Sequence, residues 1–80
     1  MRLPRDVSGA DLAKRLERLG YRVTRQTGSH LRLTWTDPPE HHVTIPNHES
    51  LRVGTLATIL QSVATRRSLS RDELVTRLFG

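Results

Sequence analysis

The tripeptide Gly28-Ser29-His30 decides the fold, because it separates two segments in which apolar and polar residues alternate. The alternation runs through residues 21–25 before the tripeptide and through residues 31–36 after it. A period of two places successive side chains on opposite faces of a sheet. We therefore predict a hairpin whose second strand begins at His30, with Gly28 in the turn, where a glycine adopts positive φ without steric cost.

Sequence features typical of helix ends lie on both sides of the predicted strands. Ser8 stands three residues before Asp11, a spacing typical of a capping box, and Gly20 is a typical helix stop. Pro38 and Pro39 exclude a strand between the second and third extended segments. The predicted elements are a helix over residues 8–19, strands over 21–26, 30–36 and 42–45, a second helix from about 54 to 67, and a terminal helix over 70–79.

This order predicts a single α+β domain over residues 1–80, with a three-stranded antiparallel sheet and both principal helices on one face. The same α-β-β-β-α order occurs in double-stranded-RNA-binding domains. The terminal helix packs either on its own core or on a partner. By parity the uncovered face of the sheet carries polar and basic residues, namely Arg22, Thr24, His30, Arg32, Thr34, His42 and Thr44.

The composition limits the kinds of site and partner that the protein can have. The chain has 80 residues, a net charge of +5 and no cysteine, so disulfides and cysteine-ligated zinc are excluded. Twelve of the 13 basic residues are arginine, which favours a polyanionic partner, although a GC-rich genome enriches arginine as well. The N-terminal residues lack the apolar stretch of a signal peptide, and no apolar run is long enough to span a bilayer. We expect a cytoplasmic protein.

Several short motifs together resemble the HicA-type toxins of HicAB toxin–antitoxin modules. Each motif is weak alone, but their order and spacing in a chain of this size are specific, and the resemblance covers roughly residues 8–79. The matching pieces are Leu19-Gly20-Tyr21, Gln26-Thr27-Gly28-Ser29-His30, Val43-Thr44-Ile45-Pro46-Asn47-His48, and Gly54-Thr55-Leu56 followed by Ile59-Leu60.

The resemblance implies a fold like that of double-stranded-RNA-binding domains and a metal-independent endoribonuclease that cuts mRNA. It also implies a HicB-like antitoxin that neutralises the toxin, with a monomer when free and a hetero-oligomer in the complex. Carried over by position, the catalytic histidine is His30, and Gly28 and Ser29 shape its turn.

Histidine suits this reaction, since a free imidazole titrates at about pH 6.5 and serves as general base or acid. Arg32, on the same face, would hold the scissile phosphate. A second titrating group is left open between His42 and His48. Geometry alone also allows His30 to be an ordinary surface histidine. The candidate RNA-contacting residues are Gly28, Ser29, Arg22, Arg25, Arg32, His48 and Lys14.

We predict neither a metal nor a cofactor, because the adjacent His41 and His42 point to opposite faces of a strand and no carboxylate cluster suits magnesium. Two other functions stay open. One is a small RNA-binding module that uses the basic open face without catalysis. The other is an interaction domain that only pairs with another protein.

Overall fold

A computed structural model describes residues 3–80; Met1 and Arg2, the start of the predicted domain, lie outside the described residues. The chain forms an α+β fold in the order α-β-β-β-α-α, which confirms the predicted order. The elements are α1 (Gly9–Leu19), β1 (Arg22–Gln26), β2 (His30–Trp35), β3 (His41–Pro46), α2 (Val53–Arg67) and α3 (Arg71–Phe79).

Helix α1 begins and ends where the sequence predicts. The Ser8 hydroxyl accepts a hydrogen bond from the Asp11 N–H at 2.9 Å, which satisfies one free amide of the first turn. Gly20 ends the helix in the left-handed conformation with φ of 115°. A Cβ at this position would collide with the ring of Trp35. Both the backbone angle and the ring therefore require glycine here.

The sheet is an antiparallel meander in the order β1-β2-β3. The pairing of β2 with β3 is regular, from His30 opposite Pro46 to Trp35 opposite His41. The pairing of β1 with β2 shifts between Val23 and Arg25, so β1 contains a β-bulge.

The bulge reverses the faces that strict alternation assigns to Arg25 and Gln26. Strict alternation places Arg25 on the covered face, whereas the shifted register sets Arg25 opposite Arg32 on the open face. Val23 pairs with Leu33 on the covered face, as predicted, but it lies at the sheet margin and remains 39% exposed.

All three helices lie on one side of the sheet. Leu31, Leu33, Val43 and Ile45 are buried against helices α1 and α2. Of the residues that alternate with them on the other face, Arg32, His42 and Thr44 are exposed, whereas Thr34 is 4% exposed. Helix α3 packs against both of those helices through Leu74, Val75 and Leu78, so the terminal helix lies on its own core. Burial of this apolar face drives the fold, and no helix within residues 3–80 covers the opposite face of the sheet.

Helix α3 starts with the capping box that the sequence contains. The Ser70 hydroxyl accepts from the Glu73 N–H, and the Glu73 carboxylate accepts from the Ser70 N–H, both at 3.1 Å. Among residues 3–80, no helix has both the length and the apolar character needed to cross a membrane.

Candidate active site

The turn before His30 is held by Thr27 rather than by the glycine. The Thr27 hydroxyl accepts a hydrogen bond from the His30 N–H at 3.0 Å, and the Thr27 N–H donates to the His30 carbonyl at 2.9 Å. The expected positive φ at Gly28 is wrong, because Gly20 is the one glycine with positive φ in the described chain. A Cβ at Gly28 would meet nothing within 4 Å. Neither backbone conformation nor internal packing explains this glycine.

His30 is exposed at the start of β2, on the open face of the sheet. Its Nδ1 lies 3.0 Å from the Ser29 hydroxyl, and no protein partner of Nε2 is found among residues 3–80. If Nδ1 carries the proton and donates to Ser29, Nε2 is a free acceptor suited to a general base. In the other tautomer the Ser29 hydroxyl donates, and Nε2–H is a free donor. Ser29 is itself anchored, since its carbonyl accepts from the Asn47 N–H at 2.8 Å.

The ring of His30 lines an open cavity of about 400 Å³ together with Pro46 of β3 and the first turns of α2. Gly54 and Thr58 are on the α2 side of this cavity. Arg52, the N-cap residue of α2, makes no side-chain capping hydrogen bond, and the first turn of the helix has no acidic residue. The positive end of its dipole therefore faces the cavity without an internal counter-charge.

Sequence patterns did not indicate that α2 contributes to this cavity. His30 and Gly54 are far apart along the chain, and their proximity depends on how α2 packs against β3. Gly54-Thr55, one of the short motifs in the sequence, marks the α2 side of this cavity, although its residue types alone predict only a helix start.

The open face of the sheet concentrates positive charge. Arg25 and Arg32 lie directly opposite each other across β1 and β2, and Arg22 lies further along the same face. Like charges in this arrangement repel each other and destabilise a sheet. All three side chains are exposed, and no ion pair with a carboxylate is found for them in the part of the chain that the structure describes. This arrangement fits a bound polyanion better than it fits the isolated fold.

A chain of hydrogen bonds crosses the same face. The Thr24 and Thr34 hydroxyls are 2.8 Å apart, and the Thr34 hydroxyl is 2.9 Å from Nδ1 of His42. Nε2 of His42 pairs with the Glu40 carboxylate at 3.2 Å. Since His42 pairs with Thr34, four residues along β2 from His30, the two histidines are roughly 13 Å apart by strand rise. Both cannot act on one phosphate in this arrangement.

His41 points to the other face, as the alternation of a strand requires. Its Nδ1 is 2.7 Å from the Tyr21 hydroxyl, and its Nε2 is 3.0 Å from the Ser62 hydroxyl on α2. Burial lowers the pKa of His41, and the charges of Arg66 and His42 lower it further. His41 therefore bridges the sheet and α2, and its surroundings favour the neutral imidazole. Tyr21 is buried, and Trp35 is partly buried against the core.

The remaining two candidates lie away from the arginines of the open face. Lys14 is exposed on α1, in the helix layer behind the sheet. His48 is exposed in the loop after β3, where its carbonyl accepts from the Gly9 N–H at 2.9 Å. The structure thus brings together Arg22, Arg25 and Arg32, places His30 at the margin of that face, and separates Lys14 from it.

Comparison with known families identifies the class of this fold and site. The family model described as "HicA toxin of bacterial toxin-antitoxin" matches residues 9–63. The chain belongs to this family, and the family implies an antitoxin partner. No curated protein and no solved structure matches the chain.

Proposed function

We propose that the chain is the toxin of a type II toxin–antitoxin module and acts as a metal-independent endoribonuclease on mRNA. His30 is the general acid/base in this proposal, and a HicB-like antitoxin neutralises the enzyme. The observation that carries the proposal is the exposed imidazole of His30, oriented by Ser29, at the junction of a cavity and a basic sheet face. Membership of the toxin family supports it. A fold like that of double-stranded-RNA-binding domains is part of the same proposal.

The reaction needs a proton acceptor, charge stabilisation and a proton donor. Nε2 of His30 takes the proton of a ribose 2′-hydroxyl while Nδ1–H donates to Ser29. The 2′-oxygen forms a bond to phosphorus and the bond to the 5′-oxygen breaks. The leaving 5′-oxygen takes a proton from the imidazolium or from water. The products are a 2′,3′-cyclic phosphate and a free 5′-hydroxyl.

In this proposal, the arginines of the open face stabilise the negative charge that develops on the phosphate. Arg32 is the next residue of β2 on the same face as His30, so its guanidinium is placed to stabilise the developing charge on phosphorus. Arg22 and Arg25 extend this positive surface and hold neighbouring phosphates. Gly28 leaves the backbone beside Ser29 uncovered, which allows RNA to approach closely. His48 and Lys14 are further contacts at the periphery, and mRNA as substrate places the activity in the cytoplasm.

The decisive experiment compares the wild-type chain with His30→Ala and His30→Gln on a labelled single-stranded RNA in the presence of EDTA. Loss of the general acid/base lowers the cleavage rate by about 10²–10⁴-fold in both variants. Circular dichroism and thermal unfolding provide the control, because an exposed residue contributes little to stability. Cleavage by His30→Ala at the wild-type rate would show that another residue does the chemistry.

The main alternative is a non-catalytic RNA-binding module, which the facing Arg25 and Arg32 favour. This function predicts steeply salt-dependent RNA binding by the wild-type chain with no cleaved product. An interaction domain that only pairs with protein predicts no RNA affinity at moderate salt.

A further inference from the structure

The two edges of the sheet differ in how they are protected against pairing with another chain. Edge strand β1 is bulged and carries Arg22 and Arg25, and bulges and charged side chains both discourage strand addition. Edge strand β3 is regular along its whole length and contains no lysine, arginine or carboxylate, and its one proline, Pro46, is its last residue. Only β3 is therefore shaped to accept a further strand.

The hydrogen-bonding pattern shows which groups of β3 are available. The Asn47 N–H donates to the Ser29 carbonyl, so this pair is a hydrogen-bonded one. Hydrogen-bonded and non-hydrogen-bonded pairs alternate in an antiparallel ladder. The peptide groups of Ile45 and Val43 consequently face β2, whereas those of His42 and Thr44 face away from it. An incoming strand would find two N–H donors and two carbonyl acceptors at the correct spacing.

Helix α2 provides a floor beside this free edge. Two open cavities lie between β3 and the exposed side of α2, one of about 650 Å³ next to His41 and the other of about 400 Å³ next to His30. Thr58 lines both cavities, so they adjoin at this residue of α2, and we refer to the two together as the slot. His41 lines it at one end of β3, and Thr44 and Pro46 line it at the other. Ala57 and Ser62 leave room above the floor because their side chains are small.

The charge around the slot is positive. Arg66 and Arg71 line the end near His41, and no carboxylate of residues 3–80 lines either cavity. His30 lines the opposite end. A chain lying along β3 would thus pass two guanidinium groups and finish over the imidazole of the proposed active site.

We infer that the slot between β3 and α2 binds an extended, acidic segment of the antitoxin, which adds to the sheet as a fourth strand. An edge strand beside a helix is an established geometry for strand addition, in which main-chain bonds give affinity and side-chain pockets give specificity. A peptide backbone supplies alternating donors and acceptors to His42 and Thr44, which an RNA backbone does not. Acidic side chains complement Arg66 and Arg71. The occupant covers His30, so the inference rests on the proposed function for its inhibitory consequence.

Hydrogen exchange measured by NMR on the full chain, free and bound to the antitoxin of its own module, tests the strand addition directly. The amides of His42 and Thr44 should exchange at least about tenfold more slowly in the complex, because both become hydrogen-bonded. The amides of β1 serve as the internal control and should keep their rates. Unchanged exchange at both β3 amides would overturn the inference, and so would new protection at β1 alone.

A slot-filling variant tests the location independently. Thr58 is exposed and lines both cavities, so Thr58→Trp should weaken antitoxin binding by about 30-fold or more, the loss typical of a central contact. Thr76→Trp on the exposed side of α3 is the matched control and should bind normally. Circular dichroism verifies that α2 is intact in both variants.

Unchanged antitoxin affinity in Thr58→Trp would overturn the inference. A variant that loses RNA affinity but keeps antitoxin affinity would overturn it in favour of an RNA track in the slot. Antitoxin affinity is measured without RNA, whereas the proposed ribonuclease is tested by cleavage alone. A failure of the slot and a failure of the nuclease therefore give different results.

Discussion

Each end of the sheet has a histidine and a glycine, but the two pairs differ in how many contacts they make with the rest of the protein. At one end, His41 is bonded through both ring nitrogens, and Gly20 fits against Trp35 in a left-handed conformation. At the other end, His30 is bonded through Nδ1 alone, and Gly28 has open space around it. The first end uses its histidine and glycine to hold the fold. The second end leaves both without a comparable internal role. This difference is why the proposed function assigns RNA contact to His30 and Gly28 and a structural role to His41 and Gly20.

The two glycines give the largest expected difference. Gly20→Ala should lower the free energy of unfolding by about 2–4 kcal/mol, because alanine is strained at φ of 115° and its methyl overlaps the Trp35 ring. Gly28→Ala should leave stability unchanged or raise it by up to about 1 kcal/mol. Urea denaturation followed by circular dichroism measures both. Equal destabilisation by the two substitutions would contradict the distinction between the two ends.

Gly28→Ala also reports on function. Because its effect on the fold is small, a loss of RNA cleavage in this variant would reflect the approach of RNA to the backbone beside Ser29. Wild-type cleavage by Gly28→Ala would remove Gly28 from the proposed RNA contacts.

The next largest expected difference in stability is between substitutions of His41 and of His30. His41→Ala removes the hydrogen-bond partner of Tyr21, whose side chain is 1% exposed, and should cost about 1–3 kcal/mol of stability. His30→Ala should change stability by less than about 0.5 kcal/mol. Thermal unfolding of both variants beside the wild type measures this contrast. If His30→Ala were the more destabilising of the two, the exposed histidine would have a structural role.

The pH dependence of stability isolates His41. Its pKa in the folded chain is lowered from the ordinary 6.5, so the unfolded chain binds more protons as the pH falls below 6.5. Stability is then lost with falling pH, from 6.5 down to the folded pKa, at no more than about 1.4 kcal/mol per pH unit. His41→Ala should abolish this slope in a series of denaturation curves from pH 8 to pH 5. A slope that persists in His41→Ala would assign the proton uptake to another histidine.

Glu73 affects the pH dependence of stability in a lower pH range than His41 does. Hydrogen bonds from the Ser70 backbone and side chain lower the pKa of Glu73 from its ordinary 4.5. Its stabilising effect is present above pH 4.5 and is lost as the pH falls toward the folded pKa. Measurements above pH 5 therefore exclude this carboxylate from the His41 test.

Much of the fold follows from local patterns that the sequence displays. The capping serine at residue 8, the glycine stop at residue 20 and the alternation on either side of His30 each act over a few residues. The features that escaped prediction depend on contacts between distant segments. The bulge in β1 is set by its pairing with β2, and the cavity beside His30 is set by the packing of α2. The positive φ expected at Gly28 was wrong because Thr27 closes the turn through its own hydroxyl.

A substitution at the bulge, Arg25→Gln, has the smallest expected effect on stability. Its expected effects on stability and on RNA binding have opposite signs. Arg25 faces Arg32 only because the register shifts, and Arg25→Gln removes that repulsion. We expect stability to rise by about 0.2–1 kcal/mol. We also expect RNA affinity to fall and its salt dependence to weaken by about one phosphate contact, as titrations at several salt concentrations would show. Arg77→Gln on α3 makes the same charge change away from the sheet and should leave the salt dependence of binding unaltered. Parallel losses in both variants would mean that net charge, rather than the position of Arg25 on the open face, determines how the chain holds RNA.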